Sequence, residues 1–359
     1  MRKKQKRQLM VATLVTVFAV SVAAGGVVLY QAHRNSNDIP QVATPTPLPS
    51  SEPVEEPIAP PAPPAPGELG LSDNLGHLPQ SVLESRLDTM KRAGVRWVRK
   101  DIEWRGAERV QGVYDWSVND ATVEAISRYG MKPLLILSYA PAWAAGSGVY
   151  DCKSVRCSIA DTPEAIAAYG TFAGEAARHF CRAPYNVAGF EIWNEPNLSK
   201  YWPQPDPALY TKALKAATKA IRESGCKATI VLGGLGDTTC TGCYTSTAFL
   251  EGVYANGGAG HFDAVGSHPY TRDAPVAETW RPVALHAIMS AHGDGGKQVW
   301  ATEFGYSSKA LSPTQRSARM KAAAGIFRSY PWAGPMFWFG LQGDLSDIAE
   351  QPTPQPSSS

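Results

Sequence analysis

Between Gly67 and Glu350, eight short apolar runs alternate with stretches of helical composition. That alternation constrains the fold more than any other feature of the chain. The runs are GELGL, VRWVRKDI, KPLLILSY, VAGFEIW, TIVLGGL, FDAVGSH, QVWATEF and GPMFWFG. Apolar strands separated by helices predict a parallel sheet buried on both faces, because each crossover helix covers one side of it. The clearest helices are SVLESRLDTMKRAG, TPEAIAAYGTFAGEAARHF, DPALYTKALKAATKAIRESG and SPTQRSARMKAAAGIFRS. The second of these starts with Thr162 as N-cap and Pro163 in the first turn. Eight such repeats in this length predict an α/β fold, a (β/α)8 TIM barrel over residues 67–350. Few residues follow the eighth strand, so a full final helix is not expected.

Outside that domain the composition changes. Residues 1–8 are basic and are expected to be cytoplasmic. An uncharged apolar run over 9–30 is long enough to cross a hydrocarbon core of roughly 30 Å as a helix. It reads as a transmembrane signal anchor, with cleavage after Ser21-Val22-Ala23 as the alternative, which would release a secreted protein. Either way the positive-inside rule places the remainder outside the cytoplasm. Residues 31–66 form a linker, and 11 of the 29 prolines fall between Pro40 and Pro66, which favours an extended spacer over helix or sheet. The tail 351–359, QPTPQPSSS, has the same character and is expected to be disordered. Six basic and four acidic residues precede Gly67, so the rest of the chain carries equal numbers of each sign. A domain without a net positive charge has no electrostatic drive toward nucleic acid.

Six cysteines in an extracytoplasmic chain are expected to pair. Proximity favours Cys152–Cys157 and Cys240–Cys243, and Cys181 and Cys226 could meet at the bottom of the barrel, although fifteen pairings are open. Cys240-Thr-Gly-Cys243 could also be a redox or zinc motif, but neither a thioredoxin-like context nor a second ligand pair accompanies it.

Two strand ends carry a glutamate beside aromatic residues: Glu195 in FEIWNEPN and Glu303 in VWATEFGYSS. Strand C-termini face the mouth of such a barrel, where active sites form. On spacing alone, the two carboxylates could equally be unrelated rim residues paired with arginines. The surrounding sequence resembles glycoside hydrolase family 39, the β-xylosidase and exopolysaccharide-hydrolase type, within the retaining (β/α)8 clan A. The resemblance runs through WVRKDIEW, GAERVQGVYDW, SYAPAW, WNEPNLSKYWPQPDPALY, SHPY and TEFG, in order over nearly the whole globular part.

The resemblance implies a retaining O-glycoside hydrolase with Glu195 as general acid/base and Glu303 as nucleophile. It further implies that Asn194 binds the sugar 2-hydroxyl, that Arg99, His268 and Tyr270 surround Glu303, and that Trp338 forms a platform under the sugar. Trp143 is expected to contact sugar and Trp193 to pack in the core. The substrate would be a cell-envelope or extracellular polysaccharide or oligosaccharide. The rival readings are a transglycosylase and a non-catalytic carbohydrate-binding barrel. GGLGDT after Ile230 departs from the dinucleotide pattern and reads as a tight strand-end turn. The histidines are too scattered to form a metal set. No metal or organic cofactor and no obligate protein partner is expected.

Overall fold

The structure, a computed structural model, describes residues 62–339 apart from 74, 77, 146–151, 153–155 and 278–279. All of these residues lie in the compact unit Glu56–Ser359. The apolar run 9–30, the linker up to residue 61 and the tail fall outside the described residues, as does any helix after the eighth strand. Among the described residues, no helix is long and apolar enough to cross a membrane.

Eight parallel strands close into one barrel in sequence order. They are β1 (Leu69–Ser72), β2 (Trp97–Glu103), β3 (Lys132–Ser138), β4 (Gly189–Asn194), β5 (Thr229–Gly236), β6 (Ala264–His268), β7 (Gln298–Phe304) and β8 (Ala333–Phe339). Each expected apolar run supplies one of them. The helices are α1 (Gln80–Arg92), α2 (Trp104–Ala107), α3 (Ser117–Arg128), α4 (Pro163–Phe180), α5 (Pro207–Glu223), α6 (Ser246–Ala255), α7 (Arg281–Ala291) and α8 (Pro313–Arg328).

Helix starts follow local chemistry. Thr162 Oγ1 accepts from the Ala165 amide at 3.2 Å ahead of α4, and Asp206 Oδ1 accepts from the Ala208 amide at 2.7 Å ahead of α5. Each satisfies an amide that the first helical turn leaves unpaired. Along α4 the residues Tyr169, Phe172, Ala173, Ala176 and Phe180 are buried, and along α5 Tyr210, Ala213, Leu214, Ala217 and Ile221. Their spacing of three and four places them on one face of each helix. Burying a single Phe, Leu or Ile side chain contributes roughly 1.5–3 kcal/mol.

The barrel interior below the mouth is filled by Trp97, Leu134, Val231, Ala264, Trp300 and Phe337. Trp97 and Trp300 meet edge to face, with ring centroids 5.1 Å apart. This plug leaves only the C-terminal end of the barrel open for chemistry. Both proximity-favoured disulfides form, Cys152–Cys157 and Cys240–Cys243, and Cys181 and Cys226, 45 residues apart, also pair.

Candidate active site

Local backbone irregularities aim the functional side chains. On β4, Glu191 faces the barrel interior, whereas Phe190 and Ile192 join the core under the helices. Simple alternation would turn Trp193 inward and Asn194 outward. Instead Trp193 has φ +73° and Glu195 φ +46°, and these left-handed residues reverse the order. Trp193 is fully buried in the outer core, as its sequence context predicts, and both Asn194 and Glu195 face the cavity. Such backbone is sparsely populated for residues with a Cβ, and strain of this kind concentrates at functional sites. On β7, Ala301 pairs with Met336 and Phe304 with Trp338, so β7 carries one extra residue between those points. The bulge lets both Thr302 and Glu303 reach inward, Thr302 Oγ1 to Glu191 and Glu303 to Arg99.

Arg99, on β2, is the hub. Its Nε donates to Glu191 Oε2 at 2.5 Å, Nη1 to Glu303 Oε1 at 2.7 Å and Ser72 Oγ at 3.1 Å, and Nη2 to Asn194 Oδ1 at 2.8 Å. Its charge is buried and matched by two carboxylates, the arrangement that makes a buried arginine tolerable. Burial alone would make its proton easier to lose, but Glu191 and Glu303 outweigh that and push its pKa up. With Asn194 Oδ1 occupied, the amide nitrogen is left to donate into the cavity.

His268, at the end of β6, connects the two glutamates. Its Nδ1 lies 2.9 Å from Glu195 Oε1 and 3.6 Å from Glu303 Oε2. Arg99 Nη2, which can only donate, faces His268 Nε2 at 3.5 Å. In the neutral ring the proton therefore belongs on Nδ1, which donates to Glu195 in either protonation state. Burial disfavours the imidazolium, but the Glu303 charge and the bond to Glu195 raise the histidine pKa overall. Tyr270 donates its hydroxyl to Glu303 Oε2 at 3.0 Å. Burial likewise opposes the charge on Glu303, and His268, Arg99 and Tyr270 together overcome it, holding this carboxyl below the ordinary glutamate value.

Because one imidazole nitrogen reaches both carboxylates, their oxygens are separated by no more than the sum of those two distances. That fits the roughly 5–5.5 Å of a retaining pair and lies short of most of the roughly 6.5–9.5 Å range of inverting pairs. The surrounding cavity, about 690 Å³, is lined by Arg99, Asn194, Glu195, Tyr270 and Glu303, together with Asp101, Tyr139, Arg156, Tyr201 and Phe339.

Two expected sugar-contact residues lie elsewhere. Trp338 is 2% exposed and packs on Phe304, 5.4 Å between centroids. Strand alternation is the reason: Phe337 fills the barrel interior, so Trp338 points to the helix layer and Phe339, 51% exposed, reaches the mouth. Trp143 does not line the cavity. It packs edge to face on Trp104 at 5.4 Å and donates to the Glu108 carbonyl at 3.1 Å. Trp104 and Trp202 are buried core residues.

Sequence reasoning also passed over several groups. Glu191 is fully buried and accepts from Arg99, the Gly234 amide and Thr302. A charged residue at an inward position of an apolar strand was the available signal. The glycines of GGLG are more than a turn. They lie in β5, where a Cβ on Gly236 would come within 2.6 Å of Glu195 Oε1, and one on Gly234 within 2.7 Å of Glu191 Oε1. Asp101 lines the cavity with a buried Oδ1 that has no hydrogen-bond partner. Burial, with some help from Glu103 and Glu303 and against the pull of Arg99, pushes its carboxyl up to about 6. Among the described residues no cluster of His, Cys, Asp and Glu could hold a metal ion.

A family model, glycosyl hydrolases family 39, matches residues 84–291. The chain belongs to glycosyl hydrolase family 39. No curated protein matches it. Among solved structures, it is similar to a family 39 glycoside hydrolase from the gut symbiont Bacteroides cellulosilyticus WH2, with 21% identity and a TM-score of 0.62. That match covers 79% of this chain and 59% of the other. A monomeric β-xylosidase from Caulobacter crescentus CB15 follows, with 20% identity, a TM-score of 0.55 and coverage of 77% and 61%. A fungal β-1,4-galactanase gives 18% identity and a TM-score of 0.55, covering 77% of this chain and 89% of that one. The chain thus spans about three fifths of the length of the first two of these structures. At these identities the likeness is one of fold.

Proposed function

We propose that this chain is a retaining O-glycoside hydrolase that cleaves β-linked or otherwise equatorial bonds in a cell-envelope or extracellular polysaccharide. The observation that carries the reading is that one nitrogen of His268 reaches both Glu195 and Glu303, which bounds their separation to what a retaining pair needs. Glu303, kept ionised by His268, Arg99 and Tyr270, attacks the anomeric carbon. As that bond forms, the bond to the leaving oxygen breaks, and Glu195 passes its proton to that oxygen. Glu195 Oε1 is engaged by His268, which leaves Oε2 to carry the proton. In the second step Glu195 takes a proton from water, the water oxygen attacks the anomeric carbon, and Glu303 departs with its charge restored. The Asn194 amide donates to the sugar 2-hydroxyl, a contact that strengthens toward the oxocarbenium-like transition state.

The apolar run 9–30 and the proline-rich linker support a membrane-tethered enzyme with its barrel outside the cytoplasm, and the three disulfides suit an oxidising compartment. The test is to follow anomeric configuration by NMR during hydrolysis of an activated glycoside, with Glu303→Gln as control. Retained configuration and a dead control are expected; inverted product, or wild-type turnover in the control, refutes the reading.

A further inference from the structure

Two of the acids that line the cavity have partners of their own: Glu303 holds Arg99, and Glu195 holds His268. Two exposed cations in the cavity wall pair with no acid among the described residues, and Lys200 makes only a hydrogen bond to the neutral Tyr201 side chain there. Arg156, on the segment between β3 and α4, lies with its guanidinium carbon 5.2 Å from the Tyr139 ring centre and 4.9 Å from that of Tyr201. Lys200, on the segment between β4 and α5, holds its ammonium 5.0 Å from the same Tyr201 ring. Both residues line the cavity. Neither has an ion pair among the described residues, whereas many basic side chains elsewhere on the barrel do, including Arg86 with Asp73, Arg128 with Glu84, Lys212 with Asp161 and Arg222 with Asp263. An aromatic face orients a cation without neutralising it, so both charges remain available to a ligand.

Their position fixes which part of a substrate they would meet. Lys200 and Tyr201 follow Glu195 on one tight turn, in which the Leu198 amide donates to the Glu195 carbonyl and the Tyr201 amide to that of Leu198, both at 3.0 Å, and Arg156 faces the Tyr201 ring from the segment after β3. Glu195 gives its proton to the leaving oxygen, so the sugar beyond that oxygen lies toward this wall. Resting on the hydrolase reading above, we infer that the enzyme selects an acidic glycan, with a carboxylate or sulfate on the leaving-group side held by Arg156 and Lys200 against Tyr201. Arginine supplies a planar fork suited to either anion, and lysine a mobile point charge.

The test is affinity electrophoresis of the full-length Glu303→Gln chain in gels containing matched polymers. Alginate, glucuronoxylan and hyaluronan are each run beside their carboxyl-reduced forms, and chondroitin sulfate beside unsulfated chondroitin. Retardation by at least one acidic polymer but not by its reduced form is expected, or by the sulfated form alone if sulfate is the group recognised. Adding Arg156→Gln and Lys200→Gln should weaken that retention by about tenfold or more, since each removes a charged contact. Lys227→Gln with Lys321→Gln, which removes the same charge at exposed sites outside the cavity, should not. Equal retention of both members of every pair, no retention by any acidic polymer, or retention insensitive to Arg156 and Lys200 overturns the inference. Hydrolysis is read separately: if the wild type releases no reducing ends from a polymer that retains the variant, the catalytic reading fails while the charge selectivity stands.

Discussion

Arg99 Nη1 donates to Glu303 Oε1 at 2.7 Å from a guanidinium that is itself only 2% exposed. Glu303, the proposed nucleophile, is therefore ion-paired from inside the barrel, and its other oxygen faces Tyr270 and His268. Arg99 also fixes Asn194 and Glu191, so one side chain positions both the attacking group and the residue assigned to the sugar 2-hydroxyl.

If Glu195 is the proton donor, Glu195→Gln should cut turnover of natural glycans by about three orders of magnitude or more, within the range attributed to acid–base catalysis. With an activated aryl glycoside, azide should restore part of the rate and yield a glycosyl azide. Product analysis checks this; a Glu195→Gln variant with wild-type rates removes the assignment.

Glu191→Gln takes one carboxylate from a buried cluster and leaves part of the Arg99 charge unmatched. Urea denaturation should show a loss of about 3 kcal/mol, in the range for breaking a buried pair. A change under about 0.5 kcal/mol would mean that the cluster relaxes and that Glu191 is dispensable.

His268 stands first among the groups that hold Glu303 ionised against burial. Activity needs the carboxylate, so it declines as pH falls through the Glu303 pKa. Replacing His268 with Asn lets that pKa rise, and the acid limb of kcat/KM should move to higher pH by about one unit. An unmoved limb would assign it to a different group.

Asp101 behaves in the opposite sense to a salt-bridged acid. Its folded-state pKa, about 6, is raised above the ordinary 3.8, so the folded chain holds this proton more tightly than the unfolded one. Stability is then lost as pH rises from about 4 to about 6, and the deficit persists above that. Asp101→Asn should be more stable than wild type at pH 7, by on the order of 2 kcal/mol, and should show no advantage below about pH 4. Thermal melts at the two pH values decide it.

Gly236→Ala places a methyl group 2.6 Å from Glu195 Oε1, closer than ordinary contact permits. The carboxylate must move, and kcat should fall by about two orders of magnitude, as expected for an ångström-scale misplacement. Wild-type kcat would show that the carboxylate has room to shift at no catalytic penalty.

Much of this was legible in the chain. Apolar runs bounded by helix signals mark all eight strands, since burial on both faces demands it, and Thr162-Pro163 announces α4 through cap chemistry alone. Arg99, Asn194, Glu195, His268, Tyr270 and Glu303 were all picked out by motif, and they converge. The aromatic residues were harder to read. Trp338 and Phe339 are adjacent and equally apolar, and only the orientation of Phe337 in the plug tells which of them faces the mouth. Trp143 was expected to contact sugar, yet it packs edge to face on the buried Trp104.

The sequence by itself determined the order of strands and helices, the cysteines near enough to pair, and the two glutamates at strand ends, because periodicity, capping and spacing are local properties. Tertiary structure alone decided which side chains share the cavity. Facing depends on the left-handed backbone at Trp193 and Glu195, the bulge in β7 and the bare Cα positions of β5, all of which take their meaning from strands distant in the chain. The charges of Arg156 and Lys200, which meet aromatic rings and no acid among the described residues, belong to that second class, since only the fold decides which acids come near them.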